Sequence, residues 1–244
     1  MNSFYVHEQE ISSMNIEKIK ESLNEIQKNI EKACDKVRRS PSEIQIIVVT
    51  RNRQVPEIRE AVEAGCRILG ESRVQEAVQK ISFFESNIQW HLVGHLQSVK
   101  AKTAIETFRL IHTVDNLRIG FDLQRACEQL NKPVDILIHV NTTEDEKEFG
   151  VEPSETLNLI KELIKFPLVH IRGLMTQVPP LEDSEQVRPF FKRLRELRDR
   201  IRDAAIPGVD MTLLSMGTSQ DYMVAIQEGS NILRITSPIF PEEK

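Results

Sequence analysis

Cysteine is scarce in this chain. Cys34, Cys66 and Cys127 are odd in number and widely spaced, and no CxxC occurs. That excludes a disulfide frame and a cysteine-based zinc site, and reads as free thiols of a reducing compartment. No apolar run approaches the ~20 residues of a membrane span. The opening MNSFYVHEQE lacks a basic segment followed by an apolar one, the mark of a secretion signal. Positive charge is not in surplus: 32 Lys and Arg stand against 37 Asp and Glu, a net charge of −5. A nucleic-acid-binding domain is normally basic, so that class is set aside. GxGxxG, GxSxG and HExxH are all absent, which removes the usual signatures of a dinucleotide fold, a serine-hydrolase elbow and a zinc protease. The expectation is a monomeric cytoplasmic protein with no membrane or nucleic-acid partner.

What is present is alternation. The 244 residues are 40% hydrophobic and 28% charged, enough for one sizeable core. Ile16, Ile19, Leu23, Ile26, Ile30, Ala33 and Val37 recur in steps of three and four and predict a helix over 15–38. RSPSE then breaks the chain. Short apolar runs follow at Ile44–Thr50, Arg67–Gly70, Gln89–Val93, Leu110–Thr113, Val134–Asn141, Leu168–Met175, Met211–Met216 and Asn231–Ile235. Helical segments near 54–64, 72–84, 97–107, 116–130, 153–164, 187–205 and 219–228 separate them. Gly65 stands where the first of these should end. Eight strands joined by seven helices imply parallel strands with right-handed crossovers. The fold class expected is α/β, a single (β/α)8 TIM-type barrel over 15–244. The N-terminal helix completes the outer ring, and 1–14 is an N-terminal extension. A doubly wound open sheet is the competing architecture, and it would normally carry a Gly-rich loop after an early strand.

Barrel active sites lie at the C-terminal strand ends. That rule selects Thr50-Arg51-Asn52, Glu71-Ser72, His91 with His95, Asp115-Asn116, His139 with Asn141, Met175–Gln177, Ser215–Gly217 and Arg234–Ser237. The segments SMGTS and RITS follow the last two strands, where small hydroxyl residues and free backbone N–H groups suit an anion. His112, His139 and His170 lie inside strand patterns and read first as packed residues. His91 and His95 flank a strand end and a glycine turn, not a helix face, so no metal site is expected. Gln45, Ile47, Val49 and Arg51 share one strand face. If that face is interior, Arg51 caps it near Arg234. Two guanidiniums there repel unless Glu71, or a phosphate or sulfate by Ser215 and Ser237, lies between them.

AVEAGCRILGESRVQEAVQK, WHLVGHLQSVKA, IHTVDNLRI, ILIHVNTTEDEKEFGV, IRGLMT, LSMGTSQDYMVAIQEGSNILRI and the IF at 239–240 occur in this order. Together they resemble the pyridoxal-phosphate homeostasis family, single-domain barrels similar to the N-terminal domain of alanine racemase. The resemblance implies a cofactor held as a Schiff base by a lysine at the end of strand one, and that position is Arg51. A guanidinium stays protonated and forms no such imine. The resemblance further implies that Arg234 faces the pyridine nitrogen, and that Ser215, Gly217 and Ser219 belong to the cofactor-binding segment. It places Ser72 where the family has Asn, and Thr236-Ser237-Pro238 where the family's phosphate loop has Gly-Thr-Ala. Thr218 and Gln220 also depart from the pattern.

The departures cluster at strand ends, which fits either specialisation away from the cofactor or a redesigned pocket. The expected cofactor-binding set is Ser215, Gly217, Ser219, Arg234, Thr236 and Ser237, with no covalent cofactor and pyridoxal phosphate held at most weakly. A small anion or phosphate is the expected ligand. Two readings compete. In one, a Ser–His nucleophile pair is drawn from Ser72, Ser215 or Ser237 and His91 or His139. In the other, the protein is a catalytically silent regulator.

Overall fold

In the computed structural model, residues 2–143, 145 and 147–240 are described, with side chains from residue 13 onward. Helix α1 spans Asn2–Val37. The stretch expected as an extension, 1–14, therefore continues the same helix from Asn2 on. Ile19, Ile26, Ile30 and Ala33 are buried, so the stripe read in the sequence is the packing face. Ser40 and Glu43 form a reciprocal capping box around the short 3-10 turn at Pro41–Glu43, which turns the chain into the sheet.

The strands are β1 Gln45–Val49, β2 Ile68–Glu71, β3 Gln89–Leu92, β4 Leu110–Val114, β5 Val134–His139, β6 Val169–Met175, β7 Val209–Thr218 and β8 Ile232–Ile235. Each pairs in parallel with the next, and β8 returns to β1, closing the barrel. The crossovers are α2 Val55–Glu63, α3 Val74–Ile81, α4 Ala101–Thr107, α5 Leu117–Leu130, α6 Thr156–Leu163, α7 Arg188–Asp203 and α8 Tyr222–Gln227. No crossover helix follows β8 among the described residues. Helix α1 fills that place between α8 and α2, where Asn29 donates to the Tyr222 hydroxyl at 3.1 Å and Asn15 to Glu60 at 3.4 Å. Gly65, with φ +114°, follows the end of α2. Asn116 caps α5 through the Ile119 N–H at 3.0 Å.

Side chains alternate across each strand. Outward residues such as Val48, Leu69, Leu92, Ile111, Ile136, Leu174, Leu214 and Leu233 pack under the helices. Inward, Ile47, Leu110, Leu137, Met175 and Ile232 form a separate apolar layer flanked by Ile68 and Leu213. That layer plugs the barrel. One step further along the strands toward their C-terminal ends, the interior turns polar.

Candidate anion site at the barrel mouth

Two residues beyond the apolar layer, the same inward faces present His112 after Leu110, His139 after Leu137, Ser215 after Leu213 and Arg234 after Ile232. Three of these, His112, Ser215 and Arg234, are joined in a line that ends on His91 of β3. Arg234 Nη1 donates to Ser215 Oγ at 2.7 Å, Ser215 Oγ lies 3.0 Å from His112 Nδ1, and His112 Nε2 lies 3.1 Å from His91 Nδ1. Arg234 Nη2 donates to the Thr176 carbonyl at 2.9 Å. A guanidinium only donates, so Ser215 accepts from it. The hydroxyl can then either give its own proton to His112 or accept a second one, which allows two opposite proton arrangements along the two imidazoles. All members are buried. Burial pushes His112 well below the ordinary imidazole value, helped by His91 and Arg234. Burial, with the charge of Arg109 adding to it, lowers His91 to about 4. His139 is lowered to about 4 by burial, then by Arg234 and His95. The histidines are therefore neutral near pH 7. Arg234 is pulled down to about 10 by burial, with Asp221 opposing, and remains charged.

Above this layer lies a pocket of about 240 Å³. Its floor includes Arg234 and Val49, and its walls carry Thr218, Ser219 and Gln220 from the end of β7 and Thr236 and Ser237 from the end of β8. Arg51 and Ser72, which follow the neighbouring strands β1 and β2, line it too. No lysine and no carboxylate line it among the described residues. Arg51 therefore faces the mouth, as the alternation from Ile47 through Val49 requires. Its side chain is exposed, and no ion pair holds it among the described residues.

Glu71 does not lie between the two guanidiniums. In β2 the inward positions are Ile68 and Gly70, so Glu71 points outward with Leu69. There it is fully buried, accepting from Lys80 Nζ at 2.6 Å and from Thr50 Oγ1 at 2.6 Å. Lys80 also donates to the Thr50 carbonyl at 2.9 Å. The Lys80–Glu71 pair thus clamps the end of β1 from behind and leaves Arg51 to the mouth. Asp115 is likewise elsewhere, accepting from Asn116 at 2.7 Å with His95 3.9 Å away.

The loops that resemble a phosphate cradle are closed on themselves. Thr236 N–H donates to Ser219 Oγ at 3.0 Å, and Thr218 N–H to Asp221 Oδ1 at 2.5 Å. Pro238 has no N–H to offer. Gly217, at φ +98°, stands behind the pocket, and a Cβ there would meet Ala225 Cβ at 2.6 Å. Ser215 is fully buried beneath Arg234. Ser219, Arg234, Thr236 and Ser237 thus reach the mouth, while Ser215 and Gly217 support it.

The candidate nucleophile pairs are not assembled. Ser72 lines the mouth, but His91 is engaged with His112, and the serine that does touch a histidine is Ser215, held by Arg234 and sealed from solvent. His139 Nδ1 is buried without a partner among the described residues. His112, which links strands β3 and β7, carried no signal beyond its inward spacing from Leu110. His95 stacks on Phe149 with centroids 4.4 Å apart. Among the described residues, no group of three or more His, Cys, Asp or Glu could hold a metal ion, and no helix is long and apolar enough to cross a membrane.

The family model of the alanine racemase N-terminal domain matches residues 22–235. The chain is 36% identical over 228 residues to the pyridoxal phosphate homeostasis protein of Aquifex aeolicus, covering 92% of this chain and 98% of that one. Among solved structures it resembles an unknown protein from Bifidobacterium adolescentis, with TM-score 0.87, 27% identity and coverage of 93% and 96%. It also resembles PipY of Synechococcus elongatus PCC7942 with PLP bound, with TM-score 0.77, 32% identity and coverage of 87% and 100%.

Proposed function

The chain belongs to the pyridoxal phosphate homeostasis protein family, within the wider group of alanine racemase N-terminal domains, and from that premise we propose that it is a member that holds a small anion reversibly and attaches no cofactor covalently. The observation that carries this reading is Arg51, which faces a barrel mouth whose described lining holds no lysine. The resemblance places the family's attachment lysine at this position. Covalent attachment through an imine needs an amine that can lose its proton, and a guanidinium does not.

The residues present do not fit covalently held pyridoxal phosphate in a second respect. Two backbone donors of the β7 and β8 loops, the Thr218 and Thr236 N–H groups, are spent on Asp221 and Ser219, and the third position of the β8 loop is Pro238, which has no N–H. What the mouth retains is two guanidiniums among hydroxyl and amide side chains. A guanidinium offers forked donors that match carboxylate or phosphate oxygens, and charge-assisted bonds of this kind are roughly twice as strong as neutral ones. The wall therefore suits an oxyanion better than an aldehyde.

Two measurements on purified protein test the proposal. Absorbance after equilibration with pyridoxal phosphate should show no visible band from a protein-bound imine. Titration with inorganic phosphate should raise the melting temperature. A visible imine band at one equivalent per chain, or no response to any anion, overturns it.

A further inference from the structure

Resting on the reading of the mouth as an anion site, we infer that its ligand carries two anionic groups, one for Arg234 at the floor and one for Arg51 at the rim: a short diacid, or a carboxylic acid bearing a phosphate. The two cations share one pocket, and no carboxylate lines it among the described residues.

Arg234 is only 7% exposed. Its two acceptors among the described residues, Ser215 Oγ and the Thr176 carbonyl, are both neutral. A guanidinium has five N–H donors, so donors remain for a ligand. A buried cation with no anion in contact is held at a cost, visible in the downward pull that burial exerts on Arg234. Asp221, the carboxylate whose field reaches it, is committed to the Thr218 N–H and hydroxyl. The unspent donors of Arg234, which lines the pocket floor, therefore suit one oxyanion.

Arg51 and Arg234 stand at different depths of the mouth. Arg234 is level with Ile47 across the β8–β1 ladder, whereas Arg51 lies in the turn beyond the end of β1 at Val49. The Arg234 guanidinium is held at the floor by Ser215 and the Thr176 carbonyl, and the Arg51 side chain is exposed at the rim. A single phosphate or carboxylate can sit on one cation, and a short chain with an anion at each end can reach both. The floor anion, withdrawn from water, should dominate affinity. The rim anion, in solvent, adds the smaller share and the discrimination between diacid and monoacid.

The test is calorimetric titration of the full chain with malonate, succinate, glutarate and adipate against butyrate and inorganic phosphate, repeated on Arg51→Gln and Arg51→Lys. Arg51 is exposed, so both variants should melt with the wild type. At least one diacid should bind about three- to fivefold tighter than butyrate, the scale of one good solvent-exposed ion pair. Arg51→Gln should bring that diacid down to butyrate's affinity with butyrate itself unchanged, and Arg51→Lys should keep most of the difference. If no diacid exceeds butyrate, or Arg51→Gln weakens butyrate and diacid alike, the two-ended ligand is wrong while the anion site stands. If phosphate, butyrate and every diacid fail to bind, the anion site itself is wrong, and this inference falls with it.

Discussion

Lys80 Nζ sits 2.6 Å from Oε1 of the fully buried Glu71, on the helix side of the barrel wall and directly behind the residue that faces the mouth. Because Lys80 also holds the Thr50 carbonyl, this pair fixes the exit of β1. Lys80→Met should strand a buried carboxylate and destabilise the protein by about 3–5 kcal/mol in urea unfolding. Adding Glu71→Gln should recover a large part of that loss. Equal stability of Lys80→Met and wild type would mean that the clamp contributes nothing.

Ser215 is read as a structural acceptor, not a nucleophile. Ser215→Ala should cost about 1–3 kcal/mol, because Arg234 and His112 lose their shared partner. A serine-directed fluorophosphonate should leave the wild-type residue unlabelled. Labelling at Ser215 would revive the Ser–His reading.

Three buried histidines set an acid limit. His91 and His139 titrate near 4 in the folded protein, and His112 well below the ordinary value, whereas in the unfolded chain each takes up its proton near 6.5. The unfolded chain binds more protons between those limits, so stability should be full above about pH 6.5 and fall as pH drops toward 4. Each histidine contributes up to about 1.4 kcal/mol per pH unit. Melting temperatures from pH 8 to pH 4 check this, and His139→Gln should flatten the decline. An unchanged slope in that variant would show that His139 is not protonated on unfolding.

The rhythm of apolar runs and helical stripes exposed the barrel, since eight βα repeats leave few other closures and the stripe of α1 needed a groove to fill. Strand parity from Ile47 to Arg51 was enough to aim Arg51 at the mouth. The same parity turns Glu71 outward, but its inward neighbour Gly70 has no side chain to mark the apolar face, so the sequence left Glu71 free to be imagined beside Arg51. The Arg234–Ser215–His112–His91 line was hidden for a different reason. His112 meets partners 21 and 103 residues away, and a histidine within an apolar run looks the same whether it is merely packed or links three strands. The spent N–H groups of the β7 and β8 loops also depend on tertiary placement, since Ser219 and Thr236 are 17 residues apart.

Rebuilding the family's pocket separates its two defects. Arg51→Lys alone should bind pyridoxal phosphate weakly, because in the loop at 236–238 the Thr236 N–H stays engaged with Ser219 and Pro238 offers none. Arg51→Lys with Thr236→Gly, Ser237→Thr and Pro238→Ala should bind it more tightly, read as a visible imine band and its dissociation constant. Full, tight binding by the single variant would show that the loop is no obstacle.

The most direct measurement is intact-mass analysis of the wild-type chain after one equivalent of pyridoxal phosphate and borohydride reduction. With Arg51 at the end of β1 and no lysine in the described lining of the mouth, the expected result is an unmodified mass. A stoichiometric pyridoxyl adduct mapped to a single residue, Lys100 or another lysine near the rim, would contradict it.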